Sequence, residues 1–289
     1  MPLITIGMPV FNEETFLAEA IESLLAQEEA DFELHVSDNG STDATEDIAR
    51  SYLPRDPRVR YHRHPRNVGA VENFNGVARA ANGKYFMWAG GHDLWHRQFL
   101  LRCLEVLEAD REVGLCYPRT RWIDADGSTV RDVSDGLGTD GLGAVARFNT
   151  VIWRTVKCSA VHGLIRTELL HRTPLMRSTF GCDMILLAEL ACYAKFIELP
   201  EALFMRRQNR PPEGDAQPQR IQATLFAEGP KRPRRNTPYA DLALSYPRMV
   251  IAADLGIPTK AVMLASLGLC VSSRYGSRIL DELLGLVRR

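Results

Sequence analysis

The chain has 289 residues, is 45% hydrophobic and 25% charged, and sets 35 basic against 36 acidic side chains. That is enough for one large or two modest domains with a real core, and a net charge of −1 excludes a general nucleic-acid binder, which needs a strong basic excess. Of the basic residues only five are Lys and 30 are Arg. A GC-rich genome produces such a bias, and so does phosphate binding, because a guanidinium fork matches phosphate oxygens.

The N-terminal stretch has no basic n-region and no small-residue cleavage site, so it does not read as a signal peptide. The longest apolar run, 261–271, falls short of the roughly 18 residues that span a bilayer. Six Cys at 103, 116, 158, 182, 192 and 270 lie far apart with no CxxC pair, which suggests neither a zinc site nor a disulfide framework. The expected location is the cytoplasm.

In chain order, residues 3–8 read as a buried strand closed by Pro9, and Phe16, Leu17, Ala20, Ile21, Leu24 and Leu25 share one helical face. Phe32, Leu34 and Val36 alternate as a second strand. Asp43 with Glu46 predicts an N-cap and its N3 partner, opening a helix through Tyr52. Residues 59–62 predict a third strand, Val71 to Ala81 a helical stripe, 85–88 a fourth strand, 99–107 a helix and 113–117 a fifth strand. Alternating strands and helices mean βαβ units and a mainly parallel sheet. Further on, residues 121–123 lead into a turn at Asp124 to Gly127, a Gly-rich loop spans 136–143, and helices are expected near 166–171 and 183–194 with a strand at 196–199. Residues 206–238 hold six Pro and eight basic residues and read as a loop, and helical patterning returns from 239.

Polar residues collect just after the first, second and fourth strands: Asn12 and Glu13, then Asp38 to Asp43, then Gly90 to Asp93. In an open parallel sheet, ligands bind at the carboxyl ends of the strands near the topological switch point. Asp38 to Ser41 also puts a Gly and a hydroxyl before a helix N-terminus, a natural anion site. Asp43 reads better as a cap, and Asp38, at the strand end itself, as a ligand-binding residue.

Together with Asn67 and Gly69, the 83–87 segment, Asp93 to Trp95, His162 to Arg166, Asp183 to Glu189 and the run from Leu203 to Arg207, these clusters resemble family 2 glycosyltransferases of the GT-A fold over roughly residues 4–210. The resemblance implies an inverting transfer from a nucleotide diphosphate sugar, uridine- or thymidine-linked, to a hydroxyl acceptor. It implies that Pro9, Phe11 and Asn12 shape the nucleotide pocket and that Glu13 faces the ribose. Asp38 would bond the pyrimidine edge, with Asn39, Asn67 and Gly69 along the nucleotide and Asp93, Arg206 and Arg207 toward the diphosphate. Asp183 matches the general base, a role worth typically ~10²–10⁴-fold for a fixed carboxylate. Trp95 and His162 fall on the acceptor side.

The family's acidic metal motif is altered: Gly90 stands at its first acidic position and His92 at the usual ligand. The His often found two residues past the Arg pair is Asn209. Magnesium prefers carboxylate oxygen and imidazole suits softer metals. Three accounts follow: His92 holds an Mn²⁺- or Mg²⁺-type ion with the diphosphate; the enzyme is metal-independent, Arg206 and Arg207 neutralising the leaving group; or the chain is a non-catalytic nucleotide-sugar-binding subunit.

Other patterns are set aside. The GxGxxG at 136–141 lies outside a βαβ unit, Asp124 and Asp126 precede a turn Gly, and Arg121-Trp122 lacks the Gln of processive polysaccharide synthases. A nucleotidyltransferase would need a Gly-rich, basic loop after the first strand. The expectation is therefore an α/β GT-A chain with a nucleotide half (1–117), an acceptor half (118–210) and a basic loop plus C-terminal helical extension (211–289). It moves one sugar, non-processively, to a glycan, glycolipid or small-molecule acceptor, binds no nucleic acid, and has peripheral membrane contact and a homodimer as further expectations.

Overall fold

The computed structural model describes residues 1–208 and 237–287. Its first half alternates as the hydrophobic pattern predicts: β1 (Ile4–Val10), α1 (Leu17–Leu25), β2 (Phe32–Asp38), α2 (Thr45–Tyr52), β3 (Val59–Arg63), α3 (Ala70–Arg79) and β4 (Tyr85–Trp88). There follow β5 (Leu94–Trp95), α4 (Phe99–Ala109), β6 (Val113–Ile123), β7 (Thr129–Val133), α5 (Ala144–Arg154) and a 3₁₀ turn (Ser159–His162). The rest comprises β8 (Leu164–Arg166), α6 (Thr167–His171), α7 (Cys182–Tyr193), β9 (Lys195–Arg207), α8 (Pro238–Ala252) and α9 (Ile257–Val287).

One nine-stranded sheet runs β3-β2-β1-β4-β8-β6-β9-β5, with β7 paired to β6. The expected parallel pairing holds for β1 with β2, β2 with β3 and β1 with β4. Beyond β4 the sheet is mixed: β8 is antiparallel to both β4 and β6, β9 parallel to β6, and β5 antiparallel to β9. The chain leaves β1 toward β2 and β3 on one side and returns to β4 on the other, so the crevice opens at the ends of β1 and β4.

β1 shows how the sheet is packed on both faces. Ile4, Ile6, Met8 and Val10 enter the core under α1, α2 and α4. The opposite face offers Thr5, Gly7 and Pro9, because α3 comes close: a Cβ on Gly7 would sit 2.6 Å from Val77 Cγ2. The second core is built on α3, α5 and α7 and takes Leu242, Tyr246, Met249 and Val250 of α8 with Met263, Leu267 and Cys270 of α9. The C-terminal helices are thus packed into the body of the protein. All six cysteines are buried free thiols. Among the described residues no helix is long and apolar enough to cross a membrane.

Several elements differ from the sequence reading. β6 runs on to Ile123 because Pro118, which cannot donate to the ladder, sits at a register shift opposite β9 that lets pairing resume. The turn at 124–127 is the β6–β7 hairpin, with Gly127 at φ 88. Asp43 is not the residue flanking its helix: α2 begins at Thr45 with Ala44 at the cap position. The expected partner Glu46 instead pairs with Arg50 at 2.7 Å and Arg63 at 3.1 Å. Asn209 and most of the basic, Pro-rich stretch lie outside the described residues.

Candidate active site at the strand ends

The loops after β1 and β2 are joined reciprocally. Asn12, at φ 55, donates its N–H to Ser41 Oγ at 3.0 Å and accepts from the Thr42 N–H at 2.9 Å. The Glu13 N–H donates to Thr45 Oγ1 at 2.8 Å, and the Glu14 N–H to Asp43 Oδ2 at 3.1 Å. Glu14 Oε2 in turn accepts from the Ala44 N–H at 3.0 Å. Burial works against the charged form of Asp43, but the hydrogen bonds from Thr45 and Glu14 outweigh it and hold the carboxyl below its ordinary range. Phe11 is 43% exposed at the rim, and Pro9 is buried in β1.

The β2 loop is tied to the loop before α3. Asn39 donates to Asn67 Oδ1 at 3.0 Å and accepts from the Val68 N–H at 2.8 Å, and the Gly69 N–H donates to Asn67 Oδ1 at 2.8 Å. Gly69, at φ 93 and ψ 149, caps α3 in a conformation open only to glycine. Asp38 is fully buried and turned inward: Oδ1 accepts from the Ser41 N–H at 2.8 Å and Oδ2 from the Tyr61 hydroxyl at 2.8 Å, with Arg63 Nε at 3.4 Å. Burial and the Asp38 carboxylate push the Tyr61 hydroxyl up. Asp38 therefore organises the loop in this arrangement, with both oxygens engaged by the protein.

After β4 the chain turns through Gly90 and Gly91. A Cβ at Gly90 would lie 2.8 Å from Asp93 Oδ2, and one at Gly91 2.9 Å from Val10 Cγ1, so a side chain at either position would have to displace a neighbouring side chain. His92 Nδ1 lies 3.0 Å from Glu13 Oε1, which turns Glu13 toward the imidazole, and Nε2 is 4.0 Å from Asp93 Oδ1. Asp93 Oδ1 also accepts the Arg207 N–H at 2.9 Å. Among the described residues no three His, Cys, Asp or Glu side chains are grouped to hold a metal. Glu13, His92 and Asp93 are the side chains here that would meet a metal ion, with Asp93 Oδ1 already bonded to the Arg207 N–H; magnesium is held by one or two carboxylates together with substrate phosphates, and imidazole suits softer ions.

The adjacent arginines point to opposite faces of β9. The Arg207 side chain is 2% exposed and donates to the carbonyls of His92, Asp124 and Ala125 and to Glu19 Oε2, beneath Phe16. It clamps the 90–93 turn to the β6–β7 hairpin and α1, with its guanidinium nitrogens engaged by the protein. Arg206 gives one hydrogen bond among the described residues, to the Lys157 carbonyl at 2.8 Å.

On the acceptor side, His162 Nδ1 lies 3.0 Å from the Trp88 carbonyl, so that nitrogen carries the proton and Nε2 is left as an acceptor. Burial pushes its pKa down, keeping the ring neutral. His162 stacks at 5.3 Å on Phe204, which lies 5.7 Å from Trp95. Trp95 is 3% exposed, beneath the site rather than in its wall. Asp183 lies in the first turn of α7, after Gly181 at φ 68, with Oδ1 accepting the Met184 N–H at 2.8 Å. A carboxylate there complements the free N–H groups of a helix start. Burial pushes the neighbouring Cys158 thiol up, and the charge of Asp183 adds to it.

Tyr61, Arg63, Glu19, Trp122, Lys157 and Asp135 are site residues that the sequence reading omits. Tyr61 and Arg63 alternate with Arg60 and His62 along β3, a signal that could have found them. The others come together only through the β6–β9 pairing and the turn before β8. A cavity of about 860 Å³ lies at the opposite edge of the sheet, lined by Arg147, Arg166 and Lys195 among others. These arginines are bonded to backbone carbonyls and Lys195 is paired with Glu112, so it offers no comparable chemistry.

A doubly wound half-sheet with polar loops joined at its switch point defines an α/β protein with a ligand crevice at the strand ends. Residues 5–163 match the profile of Glycosyl transferase family 2, and the chain belongs to that family of transferases. An uncharacterized glycosyltransferase of Methanocaldococcus jannaschii is 29% identical over 133 residues, 45% of this chain and 46% of that protein. The chain spans less than half the length of the first curated relatives it matches. S. aureus TarS 1-349 in complex with UDP-GlcNAc shares the GT-A fold at TM-score 0.69 and 18% identity, covering 95% of this chain and 73% of that one. The mannosyltransferase PcManGT from Pyrobaculum calidifontis, in complex with GDP-Man and Mn²⁺, aligns at TM-score 0.56 and 18% identity over 98% and 84%.

Proposed function

We propose that the chain transfers one sugar, with inversion, from a uridine- or thymidine-type nucleotide diphosphate sugar to a hydroxyl acceptor, with Asp183 as general base. What carries this reading is the turn at 157–162, which joins the two sides of the site. The Lys157 carbonyl takes Arg206, Cys158 lies in the field of Asp183, and His162 is fixed to the end of β4. The UDP-GlcNAc complex of TarS, a protein of the same fold, supports the donor class.

In this scheme the zipped loops at 11–14, 38–43 and 67–69 hold the nucleotide. Asp183 Oδ2 removes the acceptor's proton as its oxygen attacks the anomeric carbon opposite the leaving diphosphate, which inverts the centre. His162 Nε2 accepts from a sugar hydroxyl. Arg206 faces the charge that develops on the diphosphate, and no step is routed through a metal.

The sparse donor set at 90–93 favours one competing reading, a nucleotide-sugar-binding subunit without turnover. Hydrolysis of UDP-sugars by the whole chain in excess chelator, with UDP affinity measured alongside, separates the two. Asp183→Asn is expected to lower turnover by about 10²–10⁴-fold with UDP binding retained. Equal turnover in variant and wild type would leave the subunit reading standing, and activity restored only by added Mn²⁺ would return the metal to the scheme.

A further inference from the structure

The last helix has its polarity reversed. A surface helix turns its apolar stripe to the core and its charges to water. α9 carries five charged side chains, and four of them are bonded to the body of the protein. Lys260 donates to the Ile251 carbonyl, Arg274 to the carbonyls of Ile152 and Thr155, and Arg278 to the Tyr239 hydroxyl. Glu282 accepts the N–H groups of Tyr239 and Ala240, both at 3.0 Å, and Asp281 stands at the flank. The opposite face runs from Val262 to Leu283 in steps of three and four residues and carries no charge. Leu269 at its centre is 70% exposed, and Val262, Leu280 and Leu283 are exposed with it.

This face is complementary to itself. In an antiparallel pair with a twofold axis between Ser272 and Ser273, Val262 meets Leu283 of the other copy, Ala265 meets Leu280, and Leu269 meets Gly276. Two of these three contacts set a bulky side chain against a small one. Gly276 is an open notch, because a Cβ there would meet nothing within 4 Å. Steps of three and four are also the seam of a coiled coil, where knobs need such holes. The 31 residues of α9 span about 46 Å, and a helix is about 10–12 Å wide, so a pair buries about 1,000 Å², the size at which specific interfaces begin. A lipid surface fits less well, since an interfacial helix keeps Lys and Arg on its free polar face and here they are spent on the protein.

We infer that the chain pairs with a second copy of itself through the outer face of α9, antiparallel and in this register. The inner side of the same helix holds the carbonyls of Ile152 and Thr155, just before the 157–162 turn, so the paired helices stand behind the acceptor side of each copy. The pairing is independent of the transfer reaction proposed above.

Sedimentation velocity on the whole chain, over a range of concentrations, reads the mass directly. Wild type is expected to be a dimer. Leu269→Lys and Gly276→Glu each bury an unpaired charge in the seam and should each weaken pairing about 10²-fold or more. Combined in one chain they set Lys against Glu twice across the axis and should restore the dimer. Both positions are open in the single chain, so circular dichroism should show unchanged helix content in the monomeric variants. Under a disulfide oxidant, Ser272→Cys should link two copies, whereas Val262→Cys should not, because the two copies of residue 262 lie about 30 Å apart along the pair. The native thiols are all buried and leave the added one to report. A monomeric wild type, or a dimer that survives both single substitutions, overturns the proposal. Linking at Val262 instead of Ser272 overturns the register. A monomer that binds phosphatidylcholine vesicles would give the face to a lipid surface instead.

Discussion

Arg206 and Arg207 are neighbours in sequence with opposite work to do. A strand sends successive side chains to opposite faces, so Arg207 enters the body of the protein under Phe16 while Arg206 opens on the site. Removing Arg207 leaves the carbonyls of His92, Asp124 and Ala125 without their donor, and breaking such a buried network costs about 2–4 kcal/mol. Arg207→Ala is thus expected to unfold earlier in urea by that amount, with Arg206→Ala within about 1 kcal/mol of wild type and impaired in UDP-sugar hydrolysis. Equal stability of the two variants would remove the distinction. The same residue-level view bears on Gly90, where a side chain would have to move the Asp93 Oδ2 oxygen aside.

At the scale of elements, the loops are held at glycine hinges. Gly69 sits at φ 93 and ψ 149 between Asn67 and the start of α3, so Gly69→Ala is expected to cost roughly 1–3 kcal/mol. By disturbing the Asn39–Asn67 contact it should also weaken UDP binding, and calorimetry of both quantities checks it. Unchanged stability would mean that the turn relaxes freely. The elements legible in the sequence are those with enough residues to show a period: β1 to β4 and the helices among them. β5 and β8, of two and three residues, are too short to carry one. α5 was readable, because Val145, Phe148, Val151 and Ile152 repeat at helical spacing, but its Gly-rich approach at 136–143 draws the eye to a loop. Of the site, the strand-end polar clusters were legible because topology forces them together. The inward turn of Asp38 was not, since it depends on Tyr61 from a neighbouring strand.

For the molecule as a whole, the candidate base is backed by the C-terminal helices. Gly181, two residues before Asp183, faces Leu242 of α8: a Cβ there would lie 3.0 Å from Leu242 Cδ1. Leu242 is fully buried, and the charge of Asp183 also reaches Tyr246 one turn further along α8. The donor loops at 11–14 and 38–43 stand on the other core, built on α1, α2 and α4, and only the 67–69 loop leads into α3 of the core that α8 shares. A cavity opened at Leu242 should therefore loosen the start of α7 and leave the nucleotide pocket as it was. Leu242→Ala is expected to lose about 2–5 kcal/mol of folding stability. At temperatures where the variant stays folded, turnover should fall while the UDP dissociation constant stays constant. Measuring urea unfolding, UDP affinity and UDP-sugar hydrolysis on one preparation decides the matter. If affinity and turnover fall together, the two ends of the sheet are not mechanically separate, and α8 supports the whole crevice rather than the base alone.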